Sequence, residues 1–136
     1  MPTATQLVIN VENKPGVLAQ VSSMLGAAGV NIKAFSAAEA TGPGKLRLIV
    51  SDLERARAAL NAGNMQFEEE SVLVLSLENK PGALGEVVKH LKDSHINITC
   101  GYCTPSREGR RALVVLTVSD TQKALDVLKG KSLDEF

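Results

Sequence analysis

The sequence predicts an α+β protein made of two βαββαβ copies side by side, residues 1–70 forming one domain and residues 71–136 the other. Three observations lead there. Laying the chain against itself so that Glu12 meets Glu78 aligns Glu12-Asn13-Lys14-Pro15-Gly16 with Glu78-Asn79-Lys80-Pro81-Gly82. The same shift matches Leu7, Val8, Leu18, Val21, Leu25, Asn31 and Ile32 with Leu73, Val74, Leu84, Val87, Leu91, Asn97 and Ile98. Runs that are apolar at every second position then alternate with runs spaced by three and four, in one order in both halves. The composition, 44% hydrophobic, 22% charged and 3% aromatic over 136 residues, fits a soluble globular chain. It excludes collagen-like, disordered and disulfide-scaffold classes.

Each element follows from local pattern. Leu7, Ile9 and Val11 alternate with Asn10 and Glu12 as in a half-buried strand. Pro15-Gly16 stops that strand where a missing N–H suits the first turn of a helix. Leu18, Val21, Leu25 and Ala28 then share one helix face, as do Leu84, Val87, Val88 and Leu91 in copy two, and Gly29 ends the first helix. Residues 31–40 and 97–104 read as strands, each joined by a hairpin to an apolar strand, residues 46–50 or 112–118. Beyond the hairpins the shift widens slightly, pairing Leu48, Val50, Ser51 and Asp52 with Leu116, Val118, Ser119 and Asp120. Second helices open at Ser51-Asp52 and Ser119-Asp120, with Ser51 and Glu54, or Ser119 and Gln122, at capping-box spacing.

Residues 66–70 close copy one as a strand that runs almost without a break into residues 72–77, the first strand of copy two; the matching end of copy two is only residues 131–136. The βαββαβ order gives a four-stranded antiparallel sheet with two helices on one face, a ferredoxin-like arrangement. A unit of half this length is marginal alone. The copies are therefore expected to share one eight-stranded antiparallel sheet.

Fifteen basic residues balance fifteen acidic ones, which removes the broad field that nucleic-acid or anionic-membrane binding needs. No basic leader precedes a long apolar run, no stretch approaches membrane-span length, and two cysteines suit a reducing compartment. A cytoplasmic location is the expectation. The apolar run from Ala112 to Val118 hints that both sheet faces are covered, as in a homodimer.

The turn between first strand and first helix carries the chemistry. Gly16, Val17 and Leu18, and likewise Gly82, Ala83 and Leu84, place backbone N–H groups at a helix N-terminus, beside the positive end of its dipole. Such a site holds carboxylates. Glycine lets a ligand approach the main chain, while Asn13 and Asn79 offer a donor and an acceptor, so an α-amino acid matches. The same residues also make a good turn and helix start with no ligand. Asn31 and Asn97 open the second strands, at one and the same spacing from Asn13 and Asn79. There they cap or turn, or face the loop of the other copy to complete two inter-copy pockets.

The pattern Glu-Asn-Lys-Pro-Gly-x-Leu-x-x-Val-x-x-x-Leu followed by Asn-Ile resembles the ACT domain, a βαββαβ regulatory module, and the resemblance covers residues 5–136. It implies a stand-alone pair of such domains with no catalytic domain, binding an amino acid at a domain interface. By that resemblance, Asn13, Asn31, Asn79 and Asn97 hold the effector, together with the amides of Gly16, Val17, Leu18, Gly82, Ala83 and Leu84, and Ile32 and Ile98 follow the strand-opening asparagines. Serine-binding members carry a His two residues before the loop Asn, where this chain has Val11 and Leu77. Apolar residues there suit an aliphatic or aromatic effector, and inward-facing strand positions explain them equally well.

Other constellations fare worse. Cys100-Gly101-Tyr102-Cys103 has C-x-x-C spacing, but in a strand residues three apart point to opposite faces. Zinc would need His90 and His95 as further ligands. RNA recognition on this fold needs aromatics on the third strand, and neither Leu46-Arg47-Leu48-Ile49-Val50 nor Leu113-Val114-Val115-Leu116 has one. Arg107, Arg110 and Arg111 read as a solvated loop, and Glu12, Glu78 and Glu68-Glu69-Glu70 as solvated strand positions. No active site, metal or cofactor is read. The expectation is a non-catalytic sensor of a free amino acid acting on a metabolic enzyme or regulator. The alternative is a regulatory small subunit docked on a biosynthetic enzyme such as acetolactate synthase.

Overall fold

A computed structural model describes residues 3–11, 16–38, 44–105 and 109–129. The elements run β1 (Thr3–Val11), α1 (Val17–Ala27), β2 (Ile32–Ala38), β3 (Gly44–Val50), α2 (Leu53–Ala62) and β4 (Glu68–Glu78). They continue with α3 (Ala83–Asp93), β5 (Ile98–Pro105), β6 (Arg111–Val118) and α4 (Thr121–Leu128). The chain divides into two units, Thr5–Glu70 and one built on Ser71 onward.

In the first unit the strand order is β2-β3-β1, all antiparallel. Register pairs Leu7 with Leu48 and Ile9 with Leu46, and strand alternation sends all four toward the helices. There they meet Val21 and Leu25 of α1 and Ala56 and Leu60 of α2 in one buried core. Burial contributes about 1.5–3 kcal/mol for each large apolar side chain. The start of β4 completes this unit: Gln6 Nε2 donates to Glu70 Oε1 at 3.1 Å, and Arg57 clasps Glu69 with both Nε and Nη2. The second unit repeats the plan in the order β5-β6-β4, with Leu73 opposite Leu116 and Leu75 opposite Val114. Val87, Leu91, Ala124 and Leu128 supply its helix side.

Four expectations need correction. The first concerns the eight-stranded sheet: residues 66–70 and 72–77, expected to run on almost without a break, form the single continuous β4, Glu68–Glu78. No Gly or Pro interrupts its eleven residues, so nothing forces a turn. The described residues therefore hold six strands rather than the eight of a shared sheet, and the anticipated last strand, residues 131–136, lies outside them.

The second correction concerns helix starts. Asp52 and Asp120, not Ser51 and Ser119, are the N-caps, accepting from the N–H of Arg55 and Lys123 at 3.0 Å. The serines are used elsewhere. Ser51 Oγ accepts from the Asn31 N–H at 2.9 Å, and Ser51 N–H donates back to the Asn31 carbonyl; Ser119 and Asn97 repeat this clasp. With the helix beginning one residue later, Glu54 and Gln122 fall out of capping-box register.

Third, Leu18 and Leu84 are not core residues: they stand 37% and 46% exposed on the first turns of α1 and α3, while Val21, Leu25, Val87 and Leu91 are buried. In each first turn it is Val17 or Ala83, four residues before buried Val21 or Val87, that packs on the core, and a spacing of three or four fits one helix face equally well. Fourth, Leu113, Val114, Val115 and Leu116 are each at most 5% exposed within a single chain. The apolar run on β6 therefore no longer argues for a second copy. No helix among the described residues is long and apolar enough to cross a membrane.

Gly29 follows α1 in the left-handed region at φ 75°, letting the Val30 N–H return to the Leu25 carbonyl. His95 holds the same place after α3 at φ 59°, with Ile96 N–H on the Leu91 carbonyl. A β-carbon is strained there. In urea denaturation, His95→Gly is expected to raise stability by about 0.5–1 kcal/mol, and Gly29→Ala to lower it by about 1–2 kcal/mol.

Candidate functional site

Two helix starts stand out by what they lack. Gly16 and Gly82 take the left-handed backbone, φ 95° and 87°, immediately before α1 and α3, and neither helix has a side-chain cap. An α-helix leaves its first N–H groups without intrahelical acceptors, and the dipole adds positive potential there. The amides of Val17 and Leu18 occupy that turn in the first unit and that of Leu84 in the second. The Ala83 N–H reaches the Lys80 carbonyl at 3.3 Å. A β-carbon at Gly16 or Gly82 would meet nothing within 4 Å, so glycine is required by backbone conformation, and the space over each turn is open. Exposed Leu18 and Leu84 set an apolar side chain beside each turn.

The asparagines divide. Asn13 lies outside the described residues. Its equivalent Asn79 is occupied within its own unit: Nδ2 donates to the Gly109 carbonyl and the backbone N–H to the Arg110 carbonyl, both at 2.8 Å. Those bonds tie the strand-helix turn to the β5–β6 hairpin and leave Asn79 Oδ1 as an acceptor. Asn31 and Asn97 are exposed, their backbones held by the serine clasps, and among the described residues their carboxamides have no partner. Within one unit, however, the glycine turn and the strand-opening Asn sit at opposite ends of an eleven-residue helix, about 16 Å apart. One copy therefore does not bring them together. Ile32 and Ile98 pack against the helix-side cores.

Charge around the second turn is local. Lys80 Nζ lies 2.8 Å from Glu78 Oε2, both well exposed. Hydrogen bonding to Lys80, helped by its charge, holds the Glu78 carboxyl below its usual range, and Lys80 is raised in turn. Arg57 acts likewise on Glu69.

Cys100 pairs in register with Thr117 and Cys103 with Val114, on opposite faces of β5, and both thiols are free. No group of three potential metal ligands occurs among the described residues.

A feature that sequence reasoning missed is a cleft of about 630 Å³ in the first unit, lined by Asn10, Asn61, Asn64, Met65, Gln66, Phe67 and Glu68. It lies where β1 runs out and where α2 turns into β4. The carboxamides of Asn61, Asn64 and Gln66, close together in the chain, were the available signal.

Comparison with known proteins agrees over nearly the whole chain. The sequence model of the ACT domain pair family matches residues 2–136. The solved structure of protein BT0572 from Bacteroides thetaiotaomicron is 34% identical, with a TM-score of 0.89 over 98% of this chain and 91% of that one. The ligand-free regulatory subunit of aspartate kinase from Thermus thermophilus shares the fold at 16% identity, with a TM-score of 0.65 over 94% and 95% of the two chains. A search of curated proteins finds no match.

The hairpin tie and the ion pairs can each be tested. Asn79→Ala should leave the fold intact yet speed hydrogen exchange at the amide of residue 79, which donates to the hairpin, read by NMR. Acidification should weaken the fold: a depressed carboxyl contributes stability above its ordinary value of 4.5 and loses it as pH falls through the lowered one. Lys80 and Arg57 are raised, so their share is lost only as pH rises through those raised values. Glu69→Gln and Glu78→Gln together should flatten the acid limb of a urea-stability profile.

Proposed function

We propose that this chain, which belongs to the ACT domain pair family, is a non-catalytic sensor of a free amino acid that passes its signal by changing its association with another protein. The observation that carries this reading is the repeated uncapped helix start. α2 and α4 are closed by their own aspartates, whereas α1 and α3 each begin at a left-handed glycine with amides open to a carboxylate. Asn31 and Asn97 supply exposed carboxamides on clamped backbones, and Asn79 keeps one acceptor for an ammonium group. Because turn and asparagine are separated by a helix length within one copy, the grip takes its amides from one ACT module and its Asn from another. Asn13, the remaining partner in this reading, contributes as Asn79 does.

Such a ligand acts through differential affinity: binding a particular arrangement of modules more tightly is what shifts the population toward it. A second reading, a subunit docked on a biosynthetic enzyme, is favoured by exposed Leu18 and Leu84 and by the fold shared with the aspartate kinase regulatory subunit.

Thermal-shift measurement against the twenty amino acids separates them. The sensor reading expects one amino acid, at about 100 times its Kd, to stabilise the isolated chain by about 2.7 kcal/mol, roughly 8 °C. Asn31→Ala with Asn97→Ala should remove that shift while leaving the unliganded melting temperature within about a degree. No stabilisation by any amino acid, together with co-purification of a biosynthetic enzyme, would replace the sensor with the docked subunit.

A further inference from the structure

The cleft between the end of β1 and the α2–β4 connection has a chemistry of its own. Four carboxamide side chains, Asn10, Asn61, Asn64 and Gln66, border one space of about 630 Å³, within the size range of small-molecule sites. All four are exposed, and among the described residues none of these carboxamides has a hydrogen-bonding partner in the protein. Each presents an N–H donor and a carbonyl acceptor side by side. Half-buried Phe67, packed against the core, gives the cleft an apolar wall.

The charge of the lining itself disfavours anions. Among the described residues Glu68 is the one charged residue in the lining, while exposed Lys45, the cross-strand partner of Asn10, stands next to its β1 border. The C-terminal end of α2 also points here, bringing the negative end of its dipole. Three of its carbonyls, Ala59, Leu60 and Asn61, are closed by the N–H groups of Gly63, Met65 and Asn64, which fixes the turn that carries the carboxamides. A phosphate, nucleotide or acidic side chain would meet repulsion. A group that uses donor and acceptor together, without charge, is another primary amide, whose two hydrogen bonds to a carboxamide are mutually complementary.

The second unit offers an internal control. Ser76 occupies the place of Asn10, and there the Arg111 guanidinium fills the corner, Nε donating to Ser76 Oγ at 2.8 Å and Nη2 to the Ser76 carbonyl at 2.7 Å. The same strand position is thus taken by the protein's own side chain in one copy and left with an unpartnered carboxamide in the other.

We infer that the first unit carries a binding cleft for a neutral primary amide, and that it reads the side chain of a carboxamide-bearing amino acid. The second clause rests on the sensor reading; the first does not. The test is side-chain amide NMR of the full chain, in which the NH2 resonances of Asn10, Asn61, Asn64 and Gln66 report directly. Propionamide and L-glutamine should shift all four, and L-glutamate, of the same shape but with added charge, should bind at least about 10-fold more weakly. The variant Asn61→Ala with Asn64→Gly keeps a helix former in α2 and suits the left-handed φ of 56° at position 64, so it folds as before. It should lose at least about 10-fold in affinity for both amides.

Resonances unmoved by propionamide, glutamate binding as tightly as glutamine, or unchanged affinity in the double variant would each overturn the cleft. If another amino acid stabilises the chain while the four resonances stay still, the sensor survives and the cleft falls. If propionamide shifts them but no amino acid binds, the cleft stands and the sensor falls.

Discussion

The left-handed backbone at Gly16 and Gly82 is the constraint on which the functional reading depends. A strand feeding a helix must reverse direction, and here the reversal uses a φ that an L side chain resists by about 1–2 kcal/mol. Glycine at that position has no side chain with which to cap the helix it begins. The first-turn amides stand under the positive end of the dipole with no side-chain cap, although in the second unit the Ala83 N–H meets the Lys80 carbonyl and Glu86 sits in the first turn. The geometry that makes the turn is the same geometry that leaves each helix start without a side-chain cap.

The rest of each unit holds that turn still. Leucines and valines from alternating strand positions anchor the middle of each helix, and the serine clasps on Asn31 and Asn97 fix the far end of the first helix in each unit to the start of the second. Ser51 and Ser119 use both hydroxyl and amide for this, so the strand-opening asparagines have their backbones satisfied and their carboxamides spare. That arrangement, backbone held and carboxamide spare, recurs in the second copy, where chance repetition of a turn signal would not have repeated the clasp as well.

Much of this was legible in the chain. Alternation located the first strands, helical spacing the first helices, hairpin signals the second and third strands and cap residues the second helices, while the five-residue repeat located the turns. What was not legible has physical reasons. Ser51 and Asp52 are both good caps, and which one closes the helix depends on the Asn31 amide, far back in the chain, a contact with no local signature. Leu18 fits the buried helical face by its spacing of three from Val21, yet Val17, four residues before Val21, is the first-turn side chain that packs on the core, and spacing alone does not choose between them. Asn79 resembled a ligand donor until the hairpin at Gly109 took its amide group. The cleft draws on β1 and on residues 61–68, and isolated carboxamides mark surface as readily as sites.

Duplication does not make the two units equivalent. Gly29 and His95 fill one backbone position with unequal strain, and Asn10 and Ser76 one strand position with unequal occupancy. The second unit fills with Arg111 the corner that Asn10 borders in the first. Each bond made there removes a group a ligand would otherwise use. A pair built this way need not offer the same chemistry twice: self-satisfied polar groups rigidify the second unit, while unpartnered ones in the first remain available for recognition. Ligand selectivity in such a pair is then set by which copy has left its polar groups unspent, rather than by the fold that both copies share.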